Sequence, residues 1–258
     1  MKQAKVRVSG QQEIARNIFE LRLCGDVVCE MTEPGQFVHL QANGSFDTLL
    51  RRPISIADVD LQNRELAIIY RAEGHGTRNL SEKQAGDPIN LLGPLGNGFP
   101  TGRAEKGQTA LLVGGGIGVP PLYYLSKQLV ANGVTVKHVI GFSAEAEVFY
   151  EDKFAELGET HVTTVDRSYG QKGFVTDAIA TNDIDFDVMY ACGPTPMLKA
   201  LEQQYSHREA YLSLEQRMGC AVGACLACVV HVQGDESGSQ YRKVCKDGPV
   251  FPIGEVVL

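Results

Sequence analysis

Along the first hundred residues, apolar and polar side chains alternate in short runs. Val6 and Val8 flank Arg7, and Phe19, Leu21 and Leu23 alternate with Glu20 and Arg22. Apolar stretches follow at 37–40, 54–56, 66–70 and 89–92, separated by turn signals such as Pro34-Gly35, Asn43-Gly44 and Gly86-Asp87-Pro88. A period of two marks half-buried strands, and several short strands at this spacing predict a small antiparallel β-barrel. One short helix is expected at 77–83.

After the glycine-rich stretch 93–102 the period changes. A buried strand at 109–113 leads to a helix carrying Leu122, Leu125 and Leu129, which Asn132-Gly133 stops. A strand at 134–142 precedes a helix with Tyr150, Phe154 and Leu157 on one face. Strands at 161–165 and 187–191 alternate with a short helix at 175–180 and one lined by Leu198, Leu201 and Tyr205. Residues 209–215 could supply the last strand. This alternation predicts a doubly wound parallel α/β sheet. The tail from about 216 is short and rich in Cys, Gly and Ala, and could hardly fold without a staple. The expected division is a β-barrel domain at 1–102, an α/β domain at 103–212 and a small subdomain at 213–258.

Composition narrows the function classes. With 43% hydrophobic and 21% charged residues the chain has a globular balance, and its net charge of -7 argues against tracking nucleic-acid phosphates. Residues 1–12 are polar, unlike a secretory signal, and no apolar run approaches the ~20 residues of a membrane helix. A cytoplasmic protein is expected. Four of the seven cysteines (Cys220, Cys225, Cys228 and Cys245) crowd the tail, while Cys24, Cys29 and Cys192 are scattered. In a cytosolic chain such clustering points to metal or redox chemistry rather than a disulfide framework.

The tail reads C-x4-C-x2-C, then sixteen residues, then Cys245, which is the plant-type [2Fe–2S] arrangement. Ala221, Gly223, Ala224 and Ala227 are small enough to let backbone N–H groups approach sulfur. A structural zinc is the alternative, although zinc sites usually pair two C-x2-C knuckles. Upstream, Gly114-Gly115-Gly116-Ile117-Gly118 joins a strand to a helix opened by Pro120-Pro121. Such a turn lets a diphosphate approach the backbone at a helix start, but it departs from the strict G-x-G-x-x-G pattern, and a plain tight turn is the other reading. Cys192-Gly193-Pro194 ends a later strand and falls on the same carboxyl edge, with Cys192 expected as a small core residue. Within the β region, Arg52 of Arg51-Arg52-Pro53-Ile54-Ser55 could pair with a diphosphate and Ser55 with a polar ring edge. Ile69-Tyr70-Arg71 offers an aromatic and a second cation, and Gly76-Thr77 opens a helix. Read alone, each of these pieces is an ordinary strand end or turn.

Taken in order, Arg52-Pro-Ile-Ser55, Gly76-Thr77, Gly93-Pro-Leu-Gly96, Gly114 to Gly118 and Cys192-Gly-Pro194 resemble the ferredoxin–NADP reductase superfamily. With the four-cysteine tail added, the chain is similar over its whole length to the electron-transfer subunits of bacterial NAD-dependent dihydroorotate dehydrogenases. The resemblance implies FAD held by Arg52, Pro53, Ile54 and Ser55, helped by Ile69, Tyr70, Arg71, Gly76 and Thr77. It implies a [2Fe–2S] cluster on Cys220, Cys225, Cys228 and Cys245. NAD is expected at Gly114, Gly115, Gly116, Gly118, Cys192, Gly193 and Pro194. It further implies an FMN-containing catalytic partner in a heterotetramer, oxidising dihydroorotate to orotate in pyrimidine synthesis. Asp166, following the strand at 161–165, suits the ribose of NAD, Arg167 beside it argues for NADP, and a solvated loop residue is the other reading of Asp166. Other readings are a reductase subunit serving a hydrogenase, a ferredoxin-linked transhydrogenase or an oxygenase, and a nucleotide-binding scaffold with a zinc tail.

Overall fold

The computed structural model describes residues 1–41 and 50–258; the expected turn at Asn43-Gly44 lies outside them. Six antiparallel strands form the first unit: β1 (Lys2–Ala15), β2 (Ile18–Cys24), β3 (Phe37–Gln41), β4 (Arg52–Asp60), β5 (Glu65–Arg71) and β6 (Pro88–Leu95). They close into a barrel in the order β1-β2-β5-β4-β3-β6. Alternation sends Leu21, Leu23, Val38, Leu40, Ile56, Leu66 and Ile68 into one interior core. Helix α1 (His75–Ser81) starts two residues before the expected position. Gly74 is its N-cap, and the Thr77 hydroxyl accepts the Gly74 N–H at 3.1 Å.

The second unit alternates β7 (Thr109–Gly115), α2 (Pro120–Ala131), β8 (Thr135–Phe142), α3 (Glu151–Ala155), β9 (Glu159–Thr164), β10 (Gln171–Lys172), α4 (Val175–Thr181), β11 (Val188–Cys192), α5 (Thr195–Tyr205) and β12 (Glu209–Ser213). These strands are parallel, as expected. The chain enters at β7, winds outward through β8 and β9, then returns to lay β11 on the other side of β7. That reversal is the topological switch point where open α/β sheets bind ligands. Helix α3 is shorter than its apolar face suggested, because Tyr150 takes a left-handed φ of 62° just before it.

In the tail, β13 (Val229–His231) and β14 (Tyr241–Lys243) form a hairpin, and β15 (Val250–Pro252) pairs antiparallel with β12. The tail therefore shares the main sheet. It also grips the barrel, since the Asn97 N–H donates to the Gly248 carbonyl at 2.7 Å and the Asn97 side chain to the Lys246 carbonyl at 3.1 Å.

One polar position departs from simple alternation. Glu20 points out of the barrel, as its place in β2 requires, yet its residue is only 1% exposed because α3 covers that face. Arg22 lies 2.7 Å from its carboxylate, Lys153 3.4 Å away, and the Tyr150 hydroxyl donates to it. Burial works to raise the Glu20 pKa, but the bonds from Tyr150 and Arg22 outweigh it and hold the group below its ordinary 4.5. Two further pairs cross the same seam, Asp58–Lys127 at 2.7 Å and Arg71–Glu147 at 2.9 Å.

Glu20→Ala leaves Arg22 and Lys153 without their shared carboxylate and is expected to cost about 3 kcal/mol in chemical denaturation. A depressed carboxyl contributes stability above its unfolded pKa and loses it as pH falls through the lower folded value. The Tm of Glu20→Gln should accordingly fall less steeply than wild type below about pH 4.5.

Candidate functional site

The carboxyl ends of β7, β8, β9 and β11 open into a cavity of about 540 Å³, whose walls include Gly115, Gly116, Gly141, Thr163, Pro194 and Met197. The volume and apolar lining are those of a small-molecule or cofactor site. The pairing of Cys192 with Gly114 sets the two glycine turns side by side. Contact between them is close: a Cβ on Gly118 would overlap the Cys192 carbonyl, and one on Gly115 would sit 2.9 Å from Cδ of Pro194. Gly114, Gly115, Gly116, Gly118, Cys192, Gly193 and Pro194 thus meet at one edge. Cys192 is buried, and that burial pushes its thiol pKa far up, as suits a core residue.

Three cavity residues escaped the sequence reading. Val165 and Phe174 present exposed apolar side chains at its rim, and no period marks an exposed aromatic as functional. Glu215 lies two residues past the carboxyl end of β12 and keeps exposed surface, but the surrounding wall desolvates its carboxyl and raises its pKa. Its place just beyond a strand end was the available signal. Asp166 does not line the cavity. It sits in an exposed turn, accepting the N–H and hydroxyl of Ser168 at 3.0 and 2.6 Å.

In the tail the thiols stand in two pairs. The Cys220 sulfur accepts backbone N–H groups from Val222 at 3.5 Å and Cys225 at 3.3 Å. Ala221, at a left-handed φ of 57°, turns the loop that aims them. Desolvation opposes ionisation of Cys220, but these donors prevail and bring its pKa to about 6. Cys228 and Cys245 are buried together. Burial first, then the hydrogen bond and charge of Cys228, push the Cys245 thiol up to about 12. Four cysteine sulfurs in one loop region, with backbone N–H groups aimed at the Cys220 sulfur, are what the two irons of one cluster require. The donor set fits a [2Fe–2S] group.

On the barrel, Pro53 and Ser55 lie on the outer side of β4, paired with His39 and Phe37 of β3. The Arg52 guanidinium reaches under the start of α1, where a Cβ on Gly76 would lie 2.5 Å from Nε. Arg52, Gly76 and Thr77 are so brought together into a polar cradle of the kind a flavin diphosphate requires. Two residues of the expected flavin set present backbone rather than side chain to the outer face. Tyr70 turns into the barrel, stacked on Phe19 with its hydroxyl donating to Gln11 at 2.8 Å, and Ile54 packs in the same core. Both leave only backbone for a ligand, because period two assigns them inward.

The three sites are adjacent. Cys228 and Cys245 belong to the core that includes Phe37 and Leu95 on the outer face of β3 and β6. Phe37 pairs with Ser55, and His39 with Pro53, so the tail packs on the strand next to the flavin cradle. Arg71, at the end of β5, reaches from the other side into the sheet cavity.

Known proteins share this chain's sequence and fold. Residues 215–257 match the model of the iron-sulfur cluster binding domain of dihydroorotate dehydrogenase B, and residues 112–203 the oxidoreductase NAD-binding domain. The dihydroorotate dehydrogenase B (NAD(+)) electron transfer subunits of Bacillus mycoides (strain KBAB4) and Bacillus anthracis (strain A0248) are each 59% identical over 258 residues, covering 100% of both chains. Among solved structures, an NADH-dependent reduced ferredoxin–NADP oxidoreductase studied for flavin-based electron bifurcation superposes with a TM-score of 0.86. It is 31% identical and covers 98% of this chain and 90% of that one. A ferredoxin NADP+ reductase from Neisseria gonorrhoeae shares the fold, with a TM-score of 0.68 at 16% identity over 81% of this chain and 92% of that one. No helix among the described residues is long and apolar enough to cross a membrane.

Gly118→Ala tests the close approach of the two turns. The added methyl must displace the Cys192 strand end, an overpacking expected to cost about 1–3 kcal/mol. Thermal unfolding should show that loss, and NADH titration should show weaker binding.

Proposed function

The chain belongs to the electron-transfer subunits of NAD(+)-dependent dihydroorotate dehydrogenase B, and from that premise we propose that it carries electrons from the FMN of a catalytic partner subunit through its own [2Fe–2S] cluster and FAD to NAD+. The partner oxidises dihydroorotate to orotate, and two chains of each kind form a heterotetramer. When bound, nicotinamide exchanges hydride, flavin exchanges one or two electrons and a cluster exchanges one, so the flavin belongs in the middle. The observation that carries the reading is the order in space: Cys228 and Cys245 share a core with Phe37 of β3, the polar cradle lies at Arg52 of β4 and the start of α1, and Arg71 of β5 reaches into the nucleotide cavity.

The chain's own residues supply binding and orientation. Cys220, Cys225, Cys228 and Cys245 hold the cluster, with N–H donors from Val222 and Cys225 already on Cys220. Arg52, Gly76 and Thr77 hold the flavin diphosphate, while Pro53 and Ser55 orient its ring. Phe174 and Val165 exclude water from the nucleotide. The division 1–102, 103–212 and 213–258 corresponds to these three tasks, with β15 tying the third part to the second. Val222 and Leu226 are exposed beside Cys225, and this loop is the docking edge for the partner, since electrons must enter there.

Mixing the chain with its FMN-containing partner should give dihydroorotate-dependent NADH formation that neither protein supports alone. Cys225→Ser should abolish it and lower bound iron, and Leu226→Asp should weaken complex formation at full iron content. No NADH from a chain loaded with FAD and iron would assign it to a different electron donor.

The preference for NAD is tested separately. Asp166 stands one residue beyond Val165 of the cavity wall, where its charge repels a 2′-phosphate. Asp166→Ser should raise kcat/KM for NADPH while leaving that for NADH nearly unchanged. An unaltered NADPH rate would remove Asp166 from cofactor selection.

A further inference from the structure

A diphosphate arriving at the glycine turn meets fewer donors than a helix start normally offers. The first two residues of α2 are Pro120 and Pro121, which have no N–H. The next N–H, on Leu122, already donates to the Val119 carbonyl, and that of Val119 donates to Gly116. The first turn of α2 therefore offers a diphosphate fewer free amides than a helix start normally does, and a cation over the turn would add to what the glycine N–H groups supply.

Among the described cavity residues Arg71 is the one cation. It belongs to the barrel, at the end of β5, yet its guanidinium lies over the glycine turn, with Nη2 4.0 Å from where a Cβ on Gly116 would stand. It is not idle in this state. Glu147, on a short turn after β8, takes it in a two-pronged pair, Oε2 to Nη2 at 2.9 Å and Oε1 to Nη1 at 3.3 Å. Glu73 touches Nη1 at 3.4 Å from an exposed position. A bidentate carboxylate occupies the same fork of donors that a diphosphate would use.

We propose that Arg71 is the diphosphate cation of the nicotinamide-dinucleotide cavity and that Glu147 is the counter-ion it exchanges for that diphosphate on binding. This rests on the reading of the cavity as the NAD site. It also gives Arg71, which the resemblance implies as a helper in holding FAD, a place at the junction between the two cofactors. Glu147 is a positioning residue: it holds the guanidinium over the glycine turn and competes with the ligand, which lowers affinity for nicotinamide dinucleotide while keeping the fork aimed. Because the pair joins barrel to sheet, the exchange also loosens one of the three ion pairs across the seam whenever dinucleotide is bound.

The test is the dissociation constant of NADH for the FAD-loaded chain, measured by fluorescence titration, with FAD content and Tm recorded for every variant. Glu147→Gln removes the competitor and should tighten NADH about fivefold, the effect of a modest ion pair. Glu73→Gln should stay within about twofold of wild type. Inorganic pyrophosphate should compete with NADH in wild type and more strongly in Glu147→Gln. Arg71→Gln should weaken both ligands in protein that keeps its FAD. An unchanged or weaker NADH affinity in Glu147→Gln at wild-type FAD content overturns the proposal. Should that variant lose FAD or stability, failure of pyrophosphate to compete in wild type overturns it instead. Absence of NADH binding to the wild-type holoprotein would sink the nicotinamide reading itself, a result distinct from equal affinities in both proteins.

Discussion

Closure of the barrel dictates the rest of the molecule. In a closed six-stranded sheet every second residue must face outward, and the interior is already filled by one core. Outward positions are then available for packing or for ligands, and this chain divides them strand by strand. The faces of β2 and β5 carry Ile18, Ile69 and Glu20 against the α/β unit. The faces of β3 and β6 carry Phe37 and Leu95 against the tail. Between these two covered faces lies the outer side of β4, where Pro53 and Ser55 stand only partly covered. A redox carrier that must lie between two others has its place set by which faces of the barrel are already taken.

The α/β unit contributes a second constraint. Its switch point at β7 gathers two glycine turns so tightly that backbone touches backbone, and the absence of side chains there creates the cavity. Close backbone approach usually comes with a supply of amide donors. Here two prolines at the helix start keep the turn rigid but withdraw donors. The neighbouring barrel can add a cation because Arg71 ends a strand that points at the seam.

Much of this was legible in the sequence, for a definite reason. Period two along β1 to β6 and the glycine stops between β7 and β12 report local geometry, which a sequence records directly. Cysteine spacing does the same for the tail. Tertiary placement is what it does not record. Glu20 reads as a solvent residue because alternation says outward without saying what waits outside. Tyr70 reads as a ligand-facing aromatic when considered beside Arg71, although the same alternation turns its ring inward. Strand β15 is three residues long, too short for any period, and its pairing with β12 appears only when the tail is placed. Phe174 and Glu215 became visible as site residues once four strand ends were seen to share one cavity.

The seam between barrel and sheet shows how these levels meet. Apolar packing from Ile18, Ala57 and Ile69 supplies contact area there, and three ion pairs cross it. Replacing a buried ion pair by apolar groups is often neutral or favourable, so Glu20 is a poor source of net stability. Its use is directional. A carboxylate satisfied by Tyr150, Arg22 and Lys153 at once accepts only one register between β2 and α3, because any slip leaves a desolvated charge unpaired. An electron carrier needs that register, since the flavin strand and the nucleotide cavity belong to different units and must face each other within close reach. Fixed charge at Glu20 and exchangeable charge at Arg71 divide the work, the first setting the geometry and the second letting ligand enter it.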